Sequence, residues 1–372
     1  MNASLKRTKS TTAHSAVPST FPQLSACRLL PSASCLLPTA FCLLLSGCSG
    51  VQSSLDPAGP QAHHIARIWW LMFSILSAIF LSVMAMLAVA TWRRRTTASN
   101  ELEAELILKP DAGGEWRMST LVTTGVVITV FVLFILLISS FFTGRSLHSL
   151  AANPQPLTID ITGQQWWWQV KYENDLPSRM VTTANEIHIP VGRVVQFKLK
   201  SNDVIHSFWV PNLHGKTDLI PGHVAATWIR ADHPGIYRGQ CAEFCGHQHA
   251  HMAFTVFAET EEQFNRWYDA QLLSAPQPPN TQLARGQQVF MTTTCVMCHR
   301  IQGTDAGGAV GPDLTHVASR QTIAAGTLAN TRDNLAHWIL DSQAIKPGNR
   351  MPPNPLNADD LSALLDYLQS LK

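Results

Sequence analysis

Charged residues are scarce in this sequence. They make up 14% of its 372 residues, and the 27 basic and 25 acidic side chains nearly cancel to a net charge of +2. Without a basic field there is no electrostatic footprint for nucleic acid, and none is expected as a partner. Even the small excess sits at one end. Residues 1–47 hold Lys6, Arg7, Lys9 and Arg28 with no acidic residue, so residues 48–372 carry about −2 (+2 minus 4). Hydrophobic residues, at 46%, are too many for a disordered chain and point to membrane segments. The eight cysteines also lack the spread of a disulfide framework. Four are early (Cys27, Cys35, Cys42, Cys48), and the rest form two close pairs, Cys241/Cys245 and Cys295/Cys298. Close pairs with histidines nearby suggest metal or haem sites.

Two runs, roughly 68–91 and 119–142, contain no charged residue and are long enough for the ~20 residues of a spanning helix. The loop between them carries Arg93, Arg94, Arg95, Lys109 and Arg117, whereas the outer flanks carry Arg67 and Arg145. The positive-inside rule then puts the loop in the cytoplasm and both termini on the periplasmic side of a bacterial inner membrane. The leader agrees: basic residues, an apolar stretch at 35–45, then Leu45-Ser46-Gly47-Cys48. Small residues before a cysteine resemble a lipoprotein cleavage box, with Cys48 as the lipidated N-terminus. The stretch ahead of the apolar core is long for such a signal, which leaves the start codon open.

From Leu157 the pattern turns to short alternating runs, as where Val195, Phe197 and Leu199 alternate with Gln196, Lys198 and Lys200. Together with breakers at Gly192, Asn202-Asp203 and Pro221-Gly222, these predict a β-sandwich or barrel over about 151–257. Within it lies Cys241-Ala-Glu-Phe-Cys245-Gly-His-Gln-His249-Ala-His-Met252. Thiolates, imidazole and a thioether form a soft ligand set that favours copper. His206, 35 residues upstream after a predicted strand, could be brought to the loop. A Cys241–Cys245 disulfide would need no histidine or methionine, and two Cys with two His could also hold zinc. His247 and His251 read as solvated.

The loop spacing C-x-E-x-C-x3-H-x2-M, with the upstream histidine, resembles the binuclear copper centre (Cu-A) of cytochrome oxidase subunit II, over about 62–265. The resemblance implies a cupredoxin-like β-sandwich behind a two-helix transmembrane hairpin. It implies Cys241 and Cys245 bridging two coppers, His206 and His249 binding one each, and Met252 and the Glu243 carbonyl as weak ligands. The Glu243 carboxylate would reach a magnesium ion shared with subunit I. Gly163-Gln-Gln-Trp166-Trp-Trp168 resembles the aromatic segment whose first Trp receives electrons from cytochrome c, although Gln164 stands where the family often has His. As strand residues, three aromatics would equally serve as core and rim packing. Lys216-Thr-Asp-Leu-Ile-Pro-Gly222 resembles a segment at the border with subunit I.

Residues 272–280 are proline-rich and read as a semi-rigid spacer of about 3 Å per residue. Beyond them Cys295-Val-Met-Cys298-His299 is the haem c attachment signature, in which both cysteines bond the porphyrin and His299 ligates iron. Met351, in Lys346-Pro-Gly-Asn-Arg-Met351-Pro-Pro, resembles the sixth-ligand loop of class I cytochromes c; Met291, Met297 and His316 are alternatives. Leu361, Leu364, Leu365 and Leu368 form a helical stripe expected to pack near the domain's first helix.

The expectation is a multidomain membrane protein: leader 1–47, transmembrane hairpin 48–150, cupredoxin-like domain 151–271, linker 272–280 and an all-α class I cytochrome c domain 281–372. The sequence has no oxygen-reducing site. It therefore reads as an electron relay in a caa-type oxidase, from a cytochrome c or cytochrome bc complex, through haem c and copper, to subunit I among the other oxidase subunits. A membrane-anchored copper-delivery lipoprotein is the rival; it would need neither the haem motif nor Trp166.

Overall fold

The computed structural model describes residues 50, 52–97, 112–150 and 156–372. The leader, Cys48 and most of the inter-helix loop lie outside the described residues, and with them the expected lipidation and Lys109.

Helices α1 (Pro60–Thr97) and α2 (Ala112–Leu150) carry the two apolar runs. Their most apolar windows have mean hydropathies of 2.4 and 2.9 and bury nothing against protein, as expected of helices whose solvent is lipid. At 38 and 39 residues they outrun the expected spans. Each is about 57 Å long against a hydrocarbon core of about 30 Å, so both continue past it. The first turns of α1 are fastened to the sandwich, where Gln61 Nε2 donates to the Trp228 carbonyl (3.0 Å).

The sandwich has ten strands: β1 (Leu157–Gln164), β2 (Trp167–Tyr172), β3 (Val181–Ala184), β4 (Glu186–Pro190), β5 (Val195–Ser201), β6 (His206–Trp209), β7 (Thr217–Leu219), β8 (Ala225–Ile229), β9 (Gly235–Cys241) and β10 (Ala253–Glu259). One sheet runs β3-β2-β1-β5-β8 and the other β4-β10-β9-β6-β7. The alternation in β5 is realised, with Val195, Phe197 and Leu199 inside. Between the sheets Trp168, Phe208 and Phe254 pack edge-to-face and stacked, ring centres 4.6–6.1 Å apart. Burying three such rings supplies much of the core's stabilisation. Trp166 was expected in a strand; it lies in the turn between β1 and β2.

Helix α3 (Glu261–Gln271) follows β10, started by a capping box between Thr260 and Gln263. The next stretch, expected to be a semi-rigid spacer, packs onto the C-terminal domain. Ala275 is buried in the C-terminal core and donates its N–H to Gln302 (2.9 Å), and the Leu273 carbonyl meets His316 Nε2 (3.1 Å). The C-terminal domain holds α4 (Thr281–Thr292), α5 (Cys295–Cys298), α6 (Arg332–Leu340), α7 (Ser342–Ile345) and α8 (Ala358–Ser370). It is helical apart from one two-residue strand pair, β11 (Thr322–Ile323) with β12 (Leu328–Ala329). The Leu364/Leu365/Leu368 stripe packs into this core as its spacing predicts. Helix α8 crosses α4 at Gly286, where a Cβ would sit 2.0 Å from the Ala363 carbonyl oxygen.

Candidate metal centre and haem cavity

Cys241 is the last residue of β9 and Ala253 the first of β10, so residues 242–252 are the connection of an antiparallel pair. Its ends are tied by Cys241 N–H donating to the Met252 carbonyl (2.9 Å). His206 opens β6 on the neighbouring strand, which brings the distant histidine to the loop. The ligand atoms of His206, Cys241 and Cys245 all lie within 4.8 Å of one another. The sulfurs are 3.7 Å apart, with His206 Nδ1 3.8 Å from Cys241 Sγ and His249 Nδ1 3.6 Å from Cys245 Sγ. Met252 Sδ lies 3.9 Å from Cys245 Sγ, and the Glu243 carbonyl 3.2 Å from Cys241 Sγ.

The donor set suits a cation. The contact with Cys245 pulls the Cys241 thiol down to about 3 and pushes Cys245 up, because two buried sulfurs so close cannot both be charged unaided. A disulfide is not formed, since the sulfurs stand well beyond the ~2.05 Å of an S–S bond.

Asp203, which the sequence offered only as a strand breaker, holds His206 from behind: its carboxylate meets Nε2 at 2.8 Å. Burial would raise this carboxyl, but the bonds from His206 and from the Gln165 and Val204 amides outweigh it, so the group stays ionised. This fixes the tautomer with Nδ1 free toward the sulfurs. Gly163 makes room for the ring; a Cβ there would lie 2.8 Å from His206 Cδ2. The Glu243 carboxylate is paired with Lys216 (3.1 Å), which also meets Asp218 (3.0 Å), and among the described residues Glu243 belongs to no group of three or more possible metal ligands.

Trp166 is 8% exposed. Its Nε1–H and the Gln165 side-chain amide both donate to the Cys245 carbonyl, at 2.9 and 2.8 Å. Its other side faces a cavity of about 360 Å³ that the C-terminal domain closes. Cys295, Cys298, His299 and Met351 line that cavity beside apolar Leu335, Ile339, Leu364 and Leu368, and the sandwich contributes Gln165, Trp166, Trp167 and Asn185.

His299 is oriented by its Nδ1, which donates to the Pro312 carbonyl (2.8 Å). Burial holds the imidazole below its ordinary pKa, leaving Nε2 with a free lone pair facing the cavity. Gly311 permits the ring's close approach, as a Cβ there would be 2.6 Å from its Cε1. Arg320 also lines the cavity, and its Nε is buried with no hydrogen-bond partner among the described residues. An unpaired buried donor fits a group that brings carboxylates of its own, as haem does. Of the alternative sixth ligands, His316 has both ring nitrogens on carbonyls (2.9 and 3.1 Å), and Met291 lies outside the cavity. Met297 is 72% exposed.

Two family models match: cytochrome c oxidase subunit II, periplasmic domain, over residues 176–259, and cytochrome c over residues 283–372. The cytochrome c oxidase subunit 2 of Alkalihalophilus pseudofirmus is 36% identical over 338 residues, 88% of this chain and 94% of the relative. The chain belongs to the cytochrome c oxidase subunit 2 family. It is a subunit of a haem–copper oxidase of the inner membrane, and carries electrons from haem c through a binuclear copper centre toward the oxygen-reducing subunit. The quinol oxidase subunit 2 of Bacillus cereus is also similar, at 30% over 234 residues, 62% of this chain and 77% of the relative. Among solved structures, the periplasmic domain of subunit II of cytochrome oxidase (CoxB) of Bradyrhizobium japonicum is 30% identical. It covers 32% of this chain and 95% of its own, with a TM-score of 0.30.

Proposed function

We propose that Cys241 and Cys245 bridge the two coppers, with His206 and His249 as one imidazole each and Met252 and the Glu243 carbonyl as weaker donors. We propose likewise that Cys295 and Cys298 attach haem c, and that His299 and Met351 ligate its iron. The observation that carries the reading is the single chain of contacts from the haem cavity to the copper loop, where Trp166 lines the one and bonds the Cys245 carbonyl of the other. A copper-delivery protein would have no use for that continuity.

Once loaded, the two sites supply a copper pair that shares one electron through its thiolates and a His/Met haem of raised potential. The residues of this chain orient and shield that pair. Asp203 fixes His206, the Pro312 carbonyl fixes His299, and Ser342 Oγ and Gln343 Nε2 both donate to the Met351 carbonyl, at 2.6 and 2.8 Å. Trp166 is the side chain through which electrons reach copper, and its donor is the fused haem, not a separate protein docked on the sandwich. A cytochrome c or cytochrome bc complex would then deliver electrons to the haem domain, and both termini would face the periplasm. The Glu243 carboxylate would reach magnesium only with ligands from subunit I. We propose the same domain division, with Leu273 and Ala275 of the 272–280 segment packed on the haem domain.

Metal analysis with optical and spin-resonance spectra of the purified chain tests this. Two coppers with a mixed-valence signal and one haem c per chain are expected, and Met351→Ala should abolish the His/Met haem spectrum. A lone type II copper, or an unchanged haem spectrum in the variant, would contradict the assignments.

A further inference from the structure

Lys346 stands in a Lys-Pro-Gly-Asn turn five residues before Met351. A lysine in such a turn ordinarily keeps its ammonium in water, since an ion is costly to desolvate. This one is 2% exposed. Its Nζ donates to three carbonyls from three separate segments: Trp166 (3.0 Å) in the turn between β1 and β2, His251 (2.8 Å) in the copper loop and Ala324 (3.1 Å) in the β11–β12 turn. An ammonium has three donors and no acceptor, so this set satisfies all of them. The acceptor side is equally specific. Two of the carbonyls belong to the sandwich, and the third, like the lysine itself, belongs to the haem domain.

The contacts around it run the same way. Gln248 Nε2 in the copper loop donates to the Pro347 carbonyl (2.9 Å), and Ala253 N–H donates to the Ala325 carbonyl (3.0 Å). The loop that carries Met351 is thereby fastened to the loop that carries His249 and Met252, and both are fastened to the backbone of Trp166. A methionine at 346 would bury a stem of similar length at less desolvation cost. Burial pulls the Lys346 ammonium down to about 7; what the group adds is direction, because the bonds from one Nζ to three carbonyls fix the position of one loop against two others.

We propose that Lys346 is a positioning residue of the internal electron path. It holds the haem domain at one fixed placement against Trp166 and the copper loop, so that no domain movement precedes each transfer. This rests on the haem and copper assignments above. It is tested on the full chain loaded with both cofactors, by photochemical reduction of the haem and observation of copper reduction. In the unaltered chain the transfer rate should not change when glycerol raises the solvent viscosity. In Lys346→Met the haem and copper spectra should stay as they were, while the rate falls by about tenfold or more and becomes viscosity-dependent. A viscosity-dependent rate in the unaltered chain, or an unchanged rate in Lys346→Met, overturns the proposal; the first of these decides it even where the variant does not fold. An unaltered chain without the mixed-valence copper signal would instead overturn the cofactor assignments and this proposal with them.

Discussion

The indole of Trp166 donates a 2.9 Å hydrogen bond to the carbonyl of Cys245. One bonded contact therefore separates a wall of the C-terminal cavity from the backbone of Cys245, one of the proposed copper ligands. The same indole is 8% exposed, because the haem domain covers it. An aromatic that meets a soluble cytochrome c must be open to solvent, and this one is not. Trp166→Phe keeps an aromatic side chain but replaces the indole with a smaller phenyl ring and removes the N–H. It should leave the copper and haem spectra in place and slow haem-to-copper transfer by about tenfold, as read by photochemical reduction.

Asp203→Asn should weaken the copper centre without unfolding the sandwich. The amide keeps the shape but loses the charge that faces His206 Nε2 at 2.8 Å. Partners behind a metal-bound histidine are typically worth roughly 10- to 100-fold in affinity, which a competition titration with a copper chelator measures.

Gly286→Ala tests the haem-domain core. The new methyl would meet the Ala363 carbonyl oxygen at 2.0 Å, a backbone atom that moves only with helix α8. Overpacking of this kind costs about 1–3 kcal/mol. A lower thermal midpoint for haem-domain unfolding, with the copper site intact, is the expected result.

Glu186 links the domains: its Oε1 accepts the Gln321 and Thr322 amides at 2.7 and 3.1 Å. Burial raises its carboxyl above the ordinary 4.5. The folded chain then binds that proton more tightly than the unfolded one. This group's contribution is full below about 4.5 and is lost as pH rises through the raised value. Glu186→Gln removes the titration and still accepts both amides. Denaturant midpoints across the acid range should show the parent losing stability relative to the variant as pH rises.

Much of the copper site was legible because its spacing is local: five of the six proposed ligands lie in a twelve-residue loop closed by one strand pair. His206 needed the β6–β9 pairing to complete it. The strands and the α8 stripe followed from periodicity. What could not be read was long-range and polar. Asp203 looked like a turn residue, and Lys346 sits in a turn that reads as solvent-exposed. Their roles exist only because loops distant in sequence converge. The prolines of 272–280 were misleading for the same reason: they describe a stiff stretch of chain but not the core against which Ala275 is buried.

The fused haem donates its electron to copper within one chain. The most direct measurement follows copper reduction after rapid photochemical reduction of the haem, over a range of protein concentrations. A first-order rate that does not change with concentration is expected, with haem reoxidation matching copper reduction one to one. A rate that rises in proportion to concentration would contradict it, because the electron would then be passing between molecules.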